Sequence, residues 1–561
     1  MERVSGLGLG RKDAMANLTT CLLVGSPDVN GPFHRSQLRA HQPFKPDWIF
    51  TYLMPRPPYM RTAFVHLAGN AIKSIFPGSK PDWFLADSPP FPEVRKAATP
   101  VSYVVQTPAI DEDEGTISGV QNLTDIIFLK LLGLRESDFG DRLFLVHGDQ
   151  KTTSFLRFII KSQIEAERVY DRKQWIVAVP ALFHTLMNYI RMIFRKFWPM
   201  VHEDIIGLGR TQKISQEKHE YYAAFQLLKD AFDARILHRV GYHMKQEGYL
   251  TIDQLDYGSM EAAILATPRG YLEECTAAVV SKLSDPDIYQ GLPAAEQDTS
   301  SLYCKNEVRY MNAILYLLVL NQAVADGDYG MIRDVVKNLP ILFFGGDSSN
   351  YGPEMMYFAW LLHPDVTDSA LSDGILRSGL VRCKTAGGSP WKAIDMTLEH
   401  YNAACKRDMQ YNRNSTHDSY HTFVKLAAVG PYTTAIRATV ESKFGRYNGG
   451  EHTKPSTARD KADWACNIFR NSLGANFPVG EDDWRAPDIW ADGIRTLVTD
   501  KLEKFNAREV RPLRAEDQTA LPRLADDNVE GIYSREGERA FPDNDVVSDS
   551  DMSLGDSEDE D

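Results

Sequence analysis

The chain has 561 residues, of which 43% are hydrophobic, and a formal net charge of −14. This length allows two to four domains, and the hydrophobic fraction supports a substantial buried core. The last 21 residues, from Phe541 to Asp561, contain nine acidic residues and no Lys or Arg. The rest of the chain is nearly balanced in charge, which excludes the overall basic character typical of many nucleic-acid-binding proteins.

Six cysteines are scattered along the chain, and no two have the CxxC spacing of a zinc ribbon. This pattern predicts a reducing compartment. The N-terminus has no basic region followed by an apolar stretch, so we expect an intracellular protein, with nuclear and cytoplasmic residence left open. The longest apolar segment, 311–325, is too short to span a bilayer, which predicts a buried helix and no membrane partner.

Residues 1–45 are rich in Gly, Pro and polar side chains, and we expect them to be poorly ordered. An α/β core region is predicted over 46–200. It begins with a helix around Met60 to Ile75 and continues with a strand at Val101 to Gln106, where β-branched and aromatic residues are grouped. A further helix is predicted from about Asn122 to Leu132.

The clearest α/β unit follows. Arg142 to His147 is a short apolar run that predicts a buried strand, and Thr152 and its neighbours offer helix N-caps just after it. Trp175 to Val179 predicts a second buried strand. The next segment is an amphipathic helix, because its apolar residues recur with the 3.6-residue period.

The pattern is almost wholly helical over 201–445, becomes irregular over 446–519, and ends in a disordered acidic tail over 520–561. The fold class predicted is an α/β core with a large, mainly helical extension, predominantly α overall. Helices in the extension are predicted at 215–246, 258–283, 300–325, 329–344, 351–362, 367–380, 390–410 and 416–443.

Asp149 is the first candidate functional residue. It follows the carboxyl end of a predicted buried strand and precedes a helix, at the edge where α/β sheets place ligands. A carboxylate there suits Mg²⁺, since hard cations prefer oxygen ligands. The alternative is that Asp149 only caps the helix that follows.

A second candidate lies on the predicted helix 390–410. Asp395, Glu399, Asn402 and Lys406 fall at i, i+4, i+7 and i+11 and therefore form one stripe. Carboxylates one turn apart are able to share a metal with an acid from a strand end. A polar stripe beside an apolar one is equally typical of a surface helix.

Several segments together resemble a large family, known as a domain of unknown function, that is abundant in mushroom-forming fungi. The matching pieces span about residues 60 to 445, and their order and spacing both agree with the family. They are Thr107 to Ile117, the His-Gly-Asp-Gln run at 147–150, Phe183-His184, Asp328 to Gly330, Asn350-Tyr351 with Glu354, and Ile394-Asp395 with Glu399 and Asn402.

The family's multicopy character suggests descent from transposable elements. The resemblance thus implies a ribonuclease H-like core whose acids hold Mg²⁺ for DNA strand transfer. Asp149 would be one catalytic metal ligand, and Glu399 or Glu354 the late catalytic carboxylate. DNA is the partner implied by this analogy.

One departure from the family pattern weakens this expectation. Leu182 stands where the family tends to have an Asp before Phe-His, and losing a carboxylate from a two-metal site removes most activity. We therefore expect a degenerate metal-dependent nuclease or transposase. The alternative, which needs no cofactor, is a non-catalytic helical interaction protein whose acidic tail binds basic partners.

Overall fold

The protein is described from a computed structural model. The described residues are 2–4, 14–16, 19–25, 29, 31–76, 88–98, 100–210, 214–250, 256–284, 299–383, 390–411, 436, 439, 440, 443, 457–473 and 484–511. The acidic tail predicted over 520–561 lies outside them, as does most of the helix predicted over 416–443.

The strands of the described residues form four small sheets. Their bounds are β1 Glu2–Val4, β2 Ala14–Ala16, β3 Leu22–Gly25, β4 Phe33–His34, β5 Tyr103–Gln106, β6 Arg142–Gly148, β7 Ile176–Pro180, β8 Leu380–Arg382 and β9 Trp391–Ala393. In the three-stranded sheet, β6 is central, with β4 antiparallel on one side and β7 parallel on the other. The other sheets are the antiparallel pairs β1–β2, β3–β5 and β8–β9.

Helices make up most of the described structure, which confirms the prediction of a predominantly helical chain with small sheets. Their bounds are α1 Pro58–Ile75, α2 Ile117–Asp125, α3 Gln150–Ser162, α4 Leu182–Lys196, α5 Trp198–Gly207, α6 Tyr221–Gln246, α7 Tyr257–Ala266, α8 Tyr271–Ser284, α9 Thr299–Asp326, α10 Tyr329–Gly345, α11 Tyr351–Leu361, α12 Ser369–Ser378, α13 Ile394–Tyr411, α14 Ala458–Leu473, α15 Ile489–Thr496 and α16 Leu502–Glu509.

The β6–α3–β7 unit confirms both predicted strands, but only β7 is buried as predicted. In β6, Leu143 is buried and most other residues are half-buried. The strands pair from Phe144 opposite Ile176 to Gly148 opposite Pro180. All five residues of β7 are buried, as expected for a parallel strand covered on both faces. Because both strands run the same way, their carboxyl ends lie at one edge of the sheet.

Alternate residues of β7 face two different apolar clusters. Val177 and Val179 belong to the main core, which also contains most of the helical region. Ile176 and Ala178 belong to a smaller cluster, in which the rings of Phe128, Phe139 and Tyr170 pack against Trp175. The sheet is therefore a layer between two cores, and this fixes which side chains reach its edge.

Helix α9 runs through the main core. Residues 305–326 are long and apolar enough to cross a membrane, but 78% of the most apolar window is buried inside the protein. This agrees with the buried helix predicted for 311–325.

The segment 446–519, predicted to be irregular, contains α14, α15 and α16 in its described part. Their aromatic side chains, including Trp464, Phe469 and Trp490, are buried in the main core. The sequence pattern does not predict α15 and α16 because each has only eight residues, too few to show a clear apolar period. Packing against distant helices stabilises them.

Candidate functional site

Asp149 lies directly after β6 and is the N-cap of α3. Its Oδ1 accepts a hydrogen bond from the backbone N–H of Thr152 at 2.7 Å. The capping role considered from the sequence is thus present. The capping hydrogen bond leaves the carboxylate able to accept further partners, because its two oxygens have about four lone pairs.

Helix α4 begins at the same sheet edge, after β7, but its own N-cap position is Ala181, which has no polar side chain. Asp395, from α13, supplies the missing acceptor. Its carboxylate accepts the backbone N–H groups of Phe183 at 3.2 Å and His184 at 2.9 Å. A carboxylate is favoured at a helix N-terminus, so this contact ties α13 to the carboxyl edge of the sheet.

Asp395 also contacts the side chain of His184, with Oδ2 3.0 Å from the ring Nδ1. Both side chains are largely buried, with exposed fractions of 10% for Asp395 and 13% for His184. Burial acts to raise the pKa of Asp395, but its hydrogen bonds to His184 and Phe183 and the His184 charge outweigh burial and lower the pKa. An ionised Asp395 favours the imidazole with its proton on Nδ1.

Glu114, in the loop before α2, lies within the segment from Thr107 to Ile117 that carries part of the family resemblance, and the sequence does not single it out as a site residue. Burial of its carboxyl group, followed by the charges of Asp149 and Glu399, raises its pKa to about 7, while His184 opposes the shift. Glu114 is an exposed residue, so solvent screens these charges. The carboxyl group is nevertheless crowded by protein.

Glu114, Asp149 and Glu399 form what we call the carboxylate cluster. Its members come from a loop, a strand end and a helix that are far apart in sequence. They are grouped here because the charges of Asp149 and Glu399 both act on the Glu114 carboxyl group. Glu114 was detectable only as the last member of the acidic run that begins at Asp111.

Glu354 lies elsewhere, in the buried interior beneath α3. Its Oε2 is 2.6 Å from Nη2 of Arg157, and its Oε1 accepts a hydrogen bond from the Thr153 hydroxyl at 2.6 Å. Glu509 also pairs with Arg157, at 2.8 Å. The surroundings of Glu354 are therefore those of a structural ion pair.

The described acids do not have the spacing of a preformed metal centre. In that part of the chain, no group of three or more His, Cys, Asp or Glu side chains is arranged to hold a metal ion. The carboxylate cluster is thus a set of interacting charges whose oxygens are not at coordination distances in this structure.

Half-buried His147 lies in β6, two residues before Asp149. Its Nε2 is 2.8 Å from the Ser378 hydroxyl at the end of α12. Burial lowers the pKa of His147 to about 4, against the opposing charge of Asp395. At neutral pH this ring is uncharged and joins the strand to α12.

Comparison with known proteins assigns the chain to a family. Residues 45–452 match the model of a family of unknown function, DUF6589. The chain belongs to the DUF6589 family. No curated protein and no solved structure matches it.

Membership of DUF6589 confirms the resemblance to a domain of unknown function. The matched span includes the whole carboxylate cluster together with His184 and Asp395. It ends before α14, although α14, α15 and α16 contribute to the main core. It also begins after β3, which pairs with β5. The folded body of this DUF6589 protein therefore extends past both ends of the family match.

Replacing Glu114 by glutamine is expected to raise the free energy of unfolding at pH 8 and to leave it unchanged at pH 4. A carboxyl group whose folded pKa is raised opposes folding once the unfolded chain ionises, above about 4.5, and most strongly above about 7. Glutamine removes that opposition. Urea unfolding of both proteins across this pH range, with a chelator present, measures the difference.

The control for this experiment is Glu167→Gln, which removes an exposed carboxylate outside the carboxylate cluster. We expect this change to have a small effect at every pH. A stability gain in Glu114→Gln of the same size at pH 4 and pH 8 would contradict the electrostatic account of the cluster.

Proposed function

We propose that this DUF6589 protein is a metal-dependent phosphoryl-transfer protein acting on DNA, in which Glu114, Asp149 and Glu399 bind Mg²⁺ at the carboxyl edge of β6 and β7. What supports the proposal is that Asp149 follows β6 at this edge, that Asp395 ties α13, the helix of Glu399, to the same edge, and that the charges of Asp149 and Glu399 act on Glu114. Ligands of open α/β sheets are usually bound at such an edge.

The donor atoms suit the cation in their chemistry, but the described acids are not arranged to hold it, so binding would have to draw them together. Carboxylate oxygens are the preferred ligands of Mg²⁺, and the crowding of like charges around Glu114 is what a bound cation would relieve. When bound, Mg²⁺ supplies Lewis acidity at a phosphate oxygen. Because a ligand must be ionised, Glu114 has to lose its proton for the cation to bind.

The side chains of the protein supply orientation. Asp149 is held by the first turn of α3, and Asp395 holds both the start of α4 and the ring of His184. Such outer contacts fix the direction of the groups that contact a ligand. We leave Glu354 out of the proposed metal site, because Arg157 and Thr153 engage its oxygens.

The ribonuclease H-like character belongs to this proposal. It is supported by the parallel unit β6–α3–β7, in which Asp149 follows the first strand. The proposed late carboxylate, Glu399, comes from α13. Leu182 replaces the acid that the family resemblance leads us to expect, so we propose weak activity, with descent from a transposase.

A DNA nicking assay tests the proposal. The full chain is incubated with supercoiled plasmid and Mg²⁺ or Mn²⁺, beside Asp149→Asn, Glu399→Gln and Glu114→Gln. Nicking by the unaltered chain should fall about 100-fold or more in each variant, since several kcal/mol of transition-state stabilisation depend on the metal.

The matched control is Asp111→Asn, which alters an exposed acid in the same loop as Glu114 and should nick like the unaltered chain. Equal nicking by all variants would identify a contaminating nuclease. Nicking no faster than in chelator would remove the enzymatic proposal.

The second candidate function is a non-catalytic interaction protein. The observation that favours it is that the described acids are not at metal-binding spacing. Its proposed partners are basic proteins that bind the nine acidic residues between Phe541 and Asp561. The full chain would then bind a histone mixture, a chain ending at Ala540 would not, and Asp149→Asn would bind as well as the unaltered chain.

A further inference from the structure

Basic side chains surround the end of the described part of the chain, at Arg511, two residues after α16. The backbone N–H of Arg511 donates a hydrogen bond to the carbonyl oxygen of Ala40 at 2.9 Å. Arg39, which is exposed, therefore lies beside this point. Lys161 contacts the end of α16 itself, because its Nζ is 3.2 Å from the carbonyl oxygen of Arg508.

Arg35 lies at the same place. Its Nη2 donates a hydrogen bond to the side-chain oxygen of Gln174, and Nη2 of Arg511 donates to the carbonyl oxygen of Ile176 at 3.4 Å. Gln174 and Ile176 are only two residues apart, so the two guanidinium groups contact one short stretch of chain. Burial of Arg511 and then the charge of Arg35 lower the pKa of Arg511, against the effect of Tyr357.

We call these five basic residues the cationic surface; they are Arg35, Arg39, Lys161, Arg508 and Arg511. Acids beside it have basic partners of their own. Glu509 pairs with Arg157, Asp365 with Lys45, and Asp141 with the ring of His34. Glu509 is also only 3% exposed, whereas the side chain of Arg508 is 57% exposed. The charge presented to solvent around the end of α16 is therefore mainly positive.

The segment that follows this point in sequence ends in the opposite charge. Residues 541–561 contain nine acidic residues and no Lys or Arg. They are joined to Arg511 by residues 512–540, which span at most about 100 Å when fully extended. The cationic surface is thus within reach of the acidic residues. Because they are tethered to it, they act on it at an effective concentration on the order of 1 mM.

We propose that residues 541–561 bind the cationic surface of their own chain. This acidic segment is favoured over an external anion such as DNA, because it is attached beside the surface and needs no encounter in solution. The inference does not depend on the proposed metal site. It goes beyond the proposed binding of basic proteins, because a basic partner has to displace the acidic segment from the cationic surface before it binds.

Fluorescence anisotropy with a labelled peptide of residues 541–561 tests the proposal. The chain ending at Ala540 should bind the peptide. For a peptide Kd of about 0.1 mM, the full chain should bind it about 10-fold more weakly, because its own acidic segment occupies the surface at an effective concentration of about 1 mM. Binding by the chain ending at Ala540 should weaken as NaCl rises from about 50 to about 500 mM, because salt screens exposed charges.

Substitutions in the chain ending at Ala540 locate the binding surface. Arg39→Gln/Arg508→Gln removes two charges of the cationic surface and should weaken peptide binding about 5-fold. Arg39→Lys/Arg508→Lys keeps both charges and should bind within about twofold of the unsubstituted chain. The matched control is Arg61→Gln/Arg459→Gln, which removes exposed arginines from α1 and α14 and should leave peptide binding unchanged.

Four results would overturn the proposal. The first is that the chain ending at Ala540 does not bind the peptide, or that the full chain binds it equally well. The second is equal weakening in the two glutamine double variants, which would mean that the peptide responds only to overall charge. The third is self-association of the full chain, measured by light scattering, that the chain ending at Ala540 lacks, because the acidic segment would then bind a second copy. The fourth is a DNA duplex that binds through Arg39 and Arg508 and is not displaced by the peptide.

Discussion

Replacing Arg157 by methionine is expected to lower the free energy of unfolding at pH 7 by about 3–5 kcal/mol, the cost of removing one partner of a buried ion pair. Arg157 is 7% exposed and pairs with Glu354 and Glu509, whose side chains are 1% and 3% exposed. Methionine fills much of the same space but leaves Glu354 without the Arg157 cation, while Glu509 retains its pair with Arg508. Urea unfolding measures the loss.

The pH dependence identifies the cause of this loss. Burial acts to raise the pKa of Glu509, but Arg157 and Arg508 outweigh burial and lower it. A lowered pKa stabilises the fold above the ordinary value of 4.5, and this contribution is lost as pH falls through the folded value. The loss in Arg157→Met should therefore be full at pH 7 and smaller below pH 4.5.

Arg168→Met is the matched control, because it breaks an ion pair between the more exposed side chains of Arg168 and Asp171. Solvent screens exposed pairs, so they contribute little and the change should have a small effect. A loss in Arg157→Met that is no larger than in Arg168→Met would show that the buried pair contributes little.

Ending the chain at His452, the last residue of the family match, is expected to abolish cooperative folding. The shortened chain lacks α14, α15 and α16, which bury Trp464, Phe469, Trp490 and Phe505 in the main core. Losing one large aromatic side chain costs about 3–5 kcal/mol, and whole domains are stable by only about 5–15 kcal/mol.

Close packing makes this segment hard to replace. A Cβ on Gly345 of α10 would lie 1.8 Å from the carbonyl oxygen of Ile489, and one on Gly493 would lie 1.9 Å from that of Ile341. The backbones of α10 and α15 are thus in contact. Removing α15 would expose the closely packed surface of α10 to water, which is unfavourable.

Thermal unfolding followed by near-ultraviolet circular dichroism tests the prediction. The chain ending at His452 should show no cooperative transition, whereas a control chain ending at Ala515 should unfold like the full protein. A cooperative transition at an unchanged temperature in the chain ending at His452 would show that the family span folds alone.

The local sequence pattern was enough to predict the helices and strands whose structure is decided by neighbouring residues in the chain. The β6–α3–β7 unit is an example, because its apolar runs and capping residues are contiguous in sequence. The pattern was not enough where distant packing decides. A helix was predicted over 390–410, but its first residues form strand β9, because Trp391 to Ala393 pair with β8. The helix α13 begins only at Ile394. The single helix predicted over 258–283 is two helices, α7 and α8, with Pro268 between them.

The candidate site shows the same division. Asp149 was a candidate because the strand end and the helix start lie side by side in sequence, and Glu399 was a candidate because of its place in a helical stripe and in the family resemblance. Glu114 was not, because no period places a loop residue beside a sheet edge. The contact between Glu354 and Arg157 joins residues 197 positions apart, so no local pattern reveals it.

The most direct test of the metal-binding proposal is the crystal structure of the full chain grown with Mn²⁺, with data collected at the manganese absorption edge. The account predicts an anomalous peak at coordination distance from carboxylate oxygens of Glu114, Asp149 and Glu399. Crystals of Asp149→Asn should lack the peak. An unaltered chain with no peak at these three side chains, at saturating Mn²⁺ and neutral pH, would contradict the account.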